Sequence, residues 1–498
     1  MNMASPSNDS KMAATGITGL DDVLCGGLTS HHLYLVEGVP GSGKTTFALQ
    51  FLLEGLRRGE SVLYVTLSET ESELRAVSAS HGWSLEGIDI RELVPSENSL
   101  RPDDQYTMFH PSEVELSETT KTILADVDRL RPQRVVFDSL SEIRLLAGNP
   151  LRYRRQILAL KQFFVGRDCT VLLLDDMTSS QHDLQVQSIA HGVVRLEQMY
   201  PEYGAERRRL IVLKYRGVAF RGGYHDYVIR KGGLEVFPRL VAREHRPEPA
   251  LEKMASGVAA LDALIGGGIE RGTSTLVIGA AGTGKSSLAA QFVAAAAARG
   301  DRSAMFLFDE GLNTLLTRTE GLGIDLRAHL RDGKITMQQI DPAELSPGEF
   351  VNAIKVAVER HQARIVVIDS LNGYLQAMPE ERFLIIQLHE LLNYLAQAGV
   401  ATILIGAHTG LIGAHMQSPV DASYLADAVV LMRYFESKGE VRQAISVMKK
   451  RGGEHERSIR EFKLTRKGIV VGPPLREFRG VLTGVPVMET DGKADTAR

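Results

Sequence analysis

Short, nearly continuous apolar runs recur along this chain, and between them the apolar positions fall three or four residues apart. In the first half, Leu33–Glu37, Ser61–Thr66, Arg134–Phe137 and Thr170–Leu174 read as strands. Thr45–Arg58, Glu71–His81, Glu118–Arg131 and Leu151–Gly166 read as helices. A strand that is apolar at consecutive positions has no face to offer water, so both its faces must be covered. Alternating such strands with helices gives an α/β architecture, a mostly parallel sheet flanked by helices. The second half repeats the pattern at Thr275–Gly279, Ala304–Phe308, Ile365–Ile368 and Ala401–Ile405.

The repetition extends to the residues themselves. Gly16-Ile-Thr-Gly-Leu-Asp-Asp-Val-Leu-Cys-Gly-Gly-Leu28 is matched 241 positions later by Gly257-Val-Ala-Ala-Leu-Asp-Ala-Leu-Ile-Gly-Gly-Gly-Ile269. Gln50-Phe51 and Glu69 recur at the same interval as Gln291-Phe292 and Glu310. Asp138-Ser139 recurs as Asp369-Ser370 at an interval of 231, and Lys214 and Gly217 recur as Lys449 and Gly452 at 235. A constant interval over dozens of residues, changed only by short insertions, marks a duplicated domain. Arg243-Glu-His-Arg-Pro-Glu-Pro-Ala250 has no apolar period and two prolines, which makes it a linker. The chain therefore divides into a tail at 1–14, a domain at 15–243, a linker at 244–252, a second domain at 253–485 and a tail at 486–498.

Composition narrows the class. The 498 residues are 44% hydrophobic and 24% charged, with a net charge of −4, which is ordinary globular chemistry with no bulk attraction to nucleic acid. Two cysteines cannot build a disulfide framework. No apolar run is long enough to span a bilayer, and the polar start lacks the apolar core of a signal peptide. A cytoplasmic protein without membrane contact is expected.

Candidate chemistry sits in two loops. Gly38-Val-Pro-Gly-Ser-Gly-Lys-Thr45 and Gly279-Ala-Ala-Gly-Thr-Gly-Lys-Ser286 both fit G-x-x-x-x-G-K-[ST], each following a strand and opening a helix. In such a loop the glycines let backbone N–H groups wrap phosphate, and Lys44 and Lys285 reach the β and γ phosphates of ATP. Thr45 and Ser286 supply a hydroxyl to Mg²⁺. Gly41, Ser42, Gly43 and Thr46 form the first ATP cradle with them, and Gly282, Thr283, Gly284 and Ser287 the second. Asp138 and Asp369 end neighbouring apolar strands, where a carboxylate can hold the metal's water shell. Glu69, and Asp309 with Glu310, follow the strands beside the loops, where a carboxylate can orient or deprotonate an attacking water. Ser68 stands where the second copy has Asp309, so unequal rates in the two domains are expected.

These residues make the chain resemble the KaiC family of RecA-like ATPases over roughly residues 15–485. Phe435-Glu-Ser-Lys-Gly-Glu-Val-Arg442 and Phe478-Arg-Gly-Val-Leu-Thr-Gly-Val-Pro486 add to the likeness. The resemblance implies two tandem RecA-like P-loop domains, a homo-oligomeric, hexameric double ring with ATP between subunits, and autophosphorylation in the second domain. It implies that Lys214-Tyr215-Arg216 and Lys449-Lys450-Arg451 reach the ATP of the neighbouring subunit, and it sets Ser80 near the adenine of the first site. It gives Asp309 the place of the kinase base. The acceptor segment is Ser423-Tyr-Leu-Ala-Asp427: Ser423 matches the family's serine, whereas Tyr424 replaces its threonine. A KaiB-like or other signalling partner follows from the same resemblance.

Two other readings share the phosphate loops. A RecA-like DNA-dependent ATPase should show an interleaved basic and aromatic path, and none is evident. A non-catalytic scaffold would bind ATP to hold a ring together without steady phosphate release. His31, His32, His408 and His415 lack a cysteine or carboxylate frame of zinc spacing and read as ordinary polar side chains.

Overall fold

The computed structural model describes residues 12–93, 111–177, 184–241, 252–376, 384–407, 424–483 and 487–488. The chain forms two compact units that divide after Arg239. Among the described residues each unit holds one nine-stranded sheet.

In the first unit the strands are β1 (Leu33–Gly38), β2 (Val62–Thr66), β3 (Asp89–Glu92), β4 (Arg134–Asp138), β5 (Thr170–Asp175), β6 (Gly192–Met199), β7 (Arg207–Tyr215), β8 (Tyr224–Arg230) and β9 (Gly233–Phe237). They lie in the order β9-β8-β7-β6-β1-β5-β4-β2-β3. The stretch from β3 to β6 is parallel, and β6 to β9 form an antiparallel extension. In the second unit they are β10 (Ser274–Gly279), β11 (Arg302–Leu307), β12 (Ile335–Gln339), β13 (Ala363–Asp369), β14 (Ala401–Ala407), β15 (Ala428–Ser437), β16 (Glu440–Lys450), β17 (Arg460–Thr465) and β18 (Gly468–Pro474). Their order, β12-β11-β13-β14-β10-β15-β16-β17-β18, is the same architecture.

The two-residue side-chain period of a strand explains why these runs are continuously apolar. Leu33 and Leu35 enter one core layer with Leu63, Val65, Val135 and Phe137. Tyr34 and Val36 enter the opposite layer with Tyr64, Val136 and Leu172. Helices cover both layers. Lys44–Arg57 buries Phe47, Phe51 and Leu52 against one face, and Pro150–Phe164 buries Tyr153, Ile157 and Leu160 against the other. The second unit divides likewise, with Val277, Met305 and Val367 on one face and Leu276, Phe306 and Val366 on the other.

Helix starts follow their caps. Thr70 and Glu73 form a reciprocal capping box at Glu71–His81, while Asn149 and Ser346 cap helices that open with Pro150 and Pro347. The helix expected from Glu118 starts earlier, at Pro111. The tails also differ from expectation. Met12–Ala13 pairs with Leu28–Thr29, and Val487–Met488 pairs with Phe478–Arg479, so both ladders reach into segments that the sequence pattern assigned to tails. Most of the linker lies outside the described residues.

One buried cation ties the first unit together. Arg134, 1% exposed, pairs with Glu60, lies over the Phe51 ring and donates to the Ala14 and Phe51 carbonyls, both at 2.7 Å. It thereby joins β4, the helix Lys44–Arg57 and the entering chain. Removing it leaves two carbonyls and a carboxylate without their donor. Arg134→Ala should cost about 3–5 kcal/mol, lowering the melting transition of the first unit in differential scanning calorimetry and leaving that of the second in place.

Candidate functional site

Both phosphate-loop motifs turn from the end of a central strand into a helix. The glycines are needed at Gly41 and Gly43, whose φ angles are +84° and +96°, and at Gly282 and Gly284, at +79° and +98°. Space adds a second constraint: a Cβ on Gly43 would stand 2.5 Å from the Ile229 side chain. Tyr227 braces the first loop by donating its hydroxyl to the Ser42 carbonyl at 2.6 Å. Thr283 folds its own hydroxyl back onto the Ala280 carbonyl at 2.9 Å.

The lysines are buried. Lys44 Nζ donates to the carbonyls of Gly38 and Val39 at 2.8 and 3.1 Å and pairs with Asp176 at 2.8 Å. Lys285 Nζ donates to the carbonyls of Gly279 and Ala280 at 3.0 and 2.8 Å. Burial pushes the Lys285 ammonium below its ordinary range, against the pull of Asp369.

The strand-end carboxylates converge on the same places. Thr45 Oγ1 donates to Asp138 Oδ2 at 3.2 Å, and Tyr64 donates to the same oxygen at 2.5 Å. Ser286 lies close enough to Asp369 to favour its ionised form, and among the described residues Asp369 Oδ2 is buried with no hydrogen-bond partner. Burial raises both carboxyls, Asp369 to about 6. A hydroxyl beside an incompletely satisfied buried carboxylate is an oxygen-only donor set that fits a hydrated Mg²⁺.

The next carboxylates differ between the units. Thr66 fixes the turn that carries Glu69, accepting from the Glu69 N–H at 3.0 Å and donating to its carbonyl at 2.6 Å. Among the described residues, Glu69 Oε2 is buried without a hydrogen-bond partner. Burial, then the charge of Asp138, pushes the Glu69 carboxyl up to about 7. Glu310 is instead gripped by Arg318, with contacts of 3.1 and 2.7 Å from Nε and Nη2, and the same guanidinium donates to Ser287. At the corresponding helix position the first unit has Val77. Ser370 donates to Asp309, whereas Ser68 is exposed.

The remaining expected residues fall into three groups. Lys214 donates to the carbonyls of Gln187 and Ser188 at 2.7 and 3.0 Å, and Arg216 to Ser188 at 2.9 Å. Lys449 reaches the Ala426 carbonyl at 2.8 Å, and the exposed Arg451 reaches Asp427 and the Tyr424 carbonyl at 3.3 and 2.9 Å. The middle residues point the other way, as the period of a strand requires. Tyr215 accepts from the Thr29 N–H at 2.7 Å in the core, and Lys450 is paired with Glu270 at 3.1 Å. The side chains of Tyr215 and Lys450 thus point away from those of Lys214, Arg216, Lys449 and Arg451. Ser80 lies exposed and donates to the Val77 carbonyl at 2.7 Å, while His81 approaches Thr46, with 3.5 Å between Nε2 and Oγ1. Ser423, His408 and His415 lie outside the described residues, and Tyr424 is exposed. Asp176 and Arg318 escaped the sequence reading. The interval between the copies could have flagged both, since Ala407 and Val77 stand at the equivalent places.

Two mostly parallel sheets, each with a phosphate loop at the carboxyl end of its central strand and an acidic strand end near it, define a tandem RecA-like P-loop ATPase. The family model for the KaiC ATPase matches residues 13–241 and again 254–476. The chain belongs to the KaiC family. It is 28% identical to the circadian clock protein KaiC3 of Synechocystis over 490 residues, covering 97% of this chain and 95% of that protein. It is also 28% identical to the circadian clock oscillator protein KaiC of Synechococcus elongatus over 508 residues, covering 100% and 97%. No described helix is long and apolar enough to cross a membrane.

The raised Glu69 carboxyl has a measurable consequence. A carboxyl lifted from 4.5 to about 7 by the fold stabilises the protein less as pH rises between those values, because the folded state resists ionisation. Half-exposure to water reduces this to about 1 kcal/mol. Glu69→Gln should raise the melting temperature by about 2–4 °C at pH 8 and leave it nearly unchanged at pH 5, as read by scanning calorimetry on nucleotide-free protein.

Proposed function

We propose that each unit binds and hydrolyses ATP at a subunit interface of a homo-hexameric double ring, in a signalling or timing role of the kind the clock-protein relatives' names state. The observation that supports this reading is the repeated convergence of a buried lysine, a hydroxyl, a buried aspartate and a further glutamate at one strand end. In it, Lys44 and Lys285 hold the β and γ phosphates, assisted by the N–H groups of Gly41–Thr46 and Gly282–Ser287. Thr45 with Asp138, and Ser286 with Asp369, would hold Mg²⁺, which would supply positive charge to offset that of the phosphates. Glu69 and Glu310 orient the attacking water and accept its proton. Lys214 and Arg216, and Lys449 and Arg451, leave their carbonyl partners for the γ-phosphate of the adjoining subunit.

Autophosphorylation is the finer part of this reading. The Ser423 hydroxyl attacks the γ-phosphorus, its proton passes to Asp309, a new O–P bond forms and the bridging bond to ADP breaks. A KaiB-like or other signalling protein would read the result.

Lys44→Ala and Lys285→Ala should each reduce bound nucleotide from two per chain to one in equilibrium dialysis; two retained in either variant overturns the lysine assignment. ATP should convert the protein to a hexamer in light scattering, and a monomer at micromolar protein and saturating ATP rules against the ring. Phosphopeptide mapping after ATP incubation should find phosphate on Ser423 and none in Lys285→Ala. Turnover with an unmodified second domain leaves the ATPase and removes the kinase.

A further inference from the structure

The two lysines are solvated differently, and the duplication supplies the control. An ammonium has three N–H groups. Lys44 places them on two carbonyls and on Asp176, whereas Lys285 makes only the two equivalent carbonyl contacts among its described hydrogen bonds and ion pairs. The sheet registers identify the counterpart of Asp176. Glu37 pairs with Asp175 across β1 and β5, as Ile278 pairs with Gly406 across β10 and β14, so the residue after each pair is Asp176 in one copy and Ala407 in the other. Their surroundings differ in step. Ser141 donates to Asp176 Oδ2 at 3.4 Å, but Asn372, at the matching place, instead brackets the Ala407 backbone at 2.7 and 3.1 Å.

A phosphate oxygen arriving at Lys44 would need the N–H that Asp176 occupies. Two anions cannot share one ammonium at hydrogen-bond distance without repulsion, and the partly buried setting strengthens that repulsion. The second site presents a methyl group there. Resting on the reading that these lysines hold phosphate, we propose that Asp176 is an internal competitor of the nucleotide: its carboxylate holds Lys44 and is displaced when the phosphates enter the first site. The first site therefore binds Mg·ATP more weakly than the second and releases it sooner. This is a difference in affinity built into one copy, separate from the unequal chemistry at Ser68 and Asp309.

The test uses the full chain with one site silenced and a non-hydrolysable Mg·ATP analogue as probe. In a Lys285→Ala background, Asp176→Asn should tighten binding at the first site by about tenfold, the effect of about 1.4 kcal/mol. In a Lys44→Ala background, the reciprocal Ala407→Asp should weaken the second site by a similar factor. Unchanged affinity in Asp176→Asn overturns the proposal. So does weaker affinity, which would make Asp176 a ligand of the nucleotide's metal. Loss of all binding in Lys44→Ala/Lys285→Ala is the control: binding retained there sinks the lysine assignment itself, whereas binding lost there without tightening in Asp176→Asn sinks only the competitor. Asp176→Asn keeps size and hydrogen-bonding capacity, and a calorimetric melt confirms that the variant is folded.

Discussion

An ammonium ion buried at the end of a central parallel strand must be solvated by the protein or by a ligand, and the architecture of both sites answers that demand. Lys44 and Lys285 are 5% and 8% exposed, too little for water to do the work alone. The strand-end carbonyls supply part of the solvation because the chain turns sharply at the phosphate loop, and only glycine accepts the backbone angles of that turn. The sheet must be parallel here so that the strand ends two places along, with Asp138 and Asp369, arrive at the same edge. Helices must then cover both faces, which is why the strands are apolar at consecutive positions.

Duplication followed by divergence has altered what surrounds this constant frame. Glu310 is clamped by a guanidinium, and Glu69 has a buried oxygen with no hydrogen-bond partner among the described residues. A bidentate clamp fixes a carboxylate's direction. A carboxylate lifted by burial is a stronger base once ionised, but fewer molecules carry it ionised near neutrality. The two copies thus embody different compromises between a positioned carboxylate and a basic one, although the loop and strand order are shared.

The parallel strands and their phosphate loops were legible in the sequence because a strand buried on two faces is uniformly apolar and the loop chemistry tolerates few substitutions. The antiparallel extensions were not. Runs such as Tyr224–Arg230 mix charged and apolar residues because one side is partly exposed, and their pairing is decided by neighbours distant in sequence. The direction of side chains at a strand end was equally hidden. Lys214-Tyr215-Arg216 reads as one cationic group, yet alternation sends Tyr215 into the core, and a bulge between Val193 and Val194 sets that alternation. Asp176 carries no motif: it is the second of two aspartates ending an apolar strand, and in the sequence only its mismatch with Ala407 of the other copy sets it apart. Its meaning comes from the distance to Lys44.

The outward cations are held by weak contacts within the chain. Lys214 and Arg216 rest on carbonyls at the carboxyl end of the helix Leu184–Ile189, where a positive charge offsets exposed backbone acceptors. Lys449 and Arg451 rest on the Ala426 and Tyr424 carbonyls and on Asp427. These contacts are modest, of the order of 1 kcal/mol for a partly exposed pair. A polyanionic phosphate is a better partner than a carbonyl for a guanidinium or an ammonium. The cations are therefore held in a defined place without being committed to it, and an anion of high charge density presented by another copy is the partner that would draw them away.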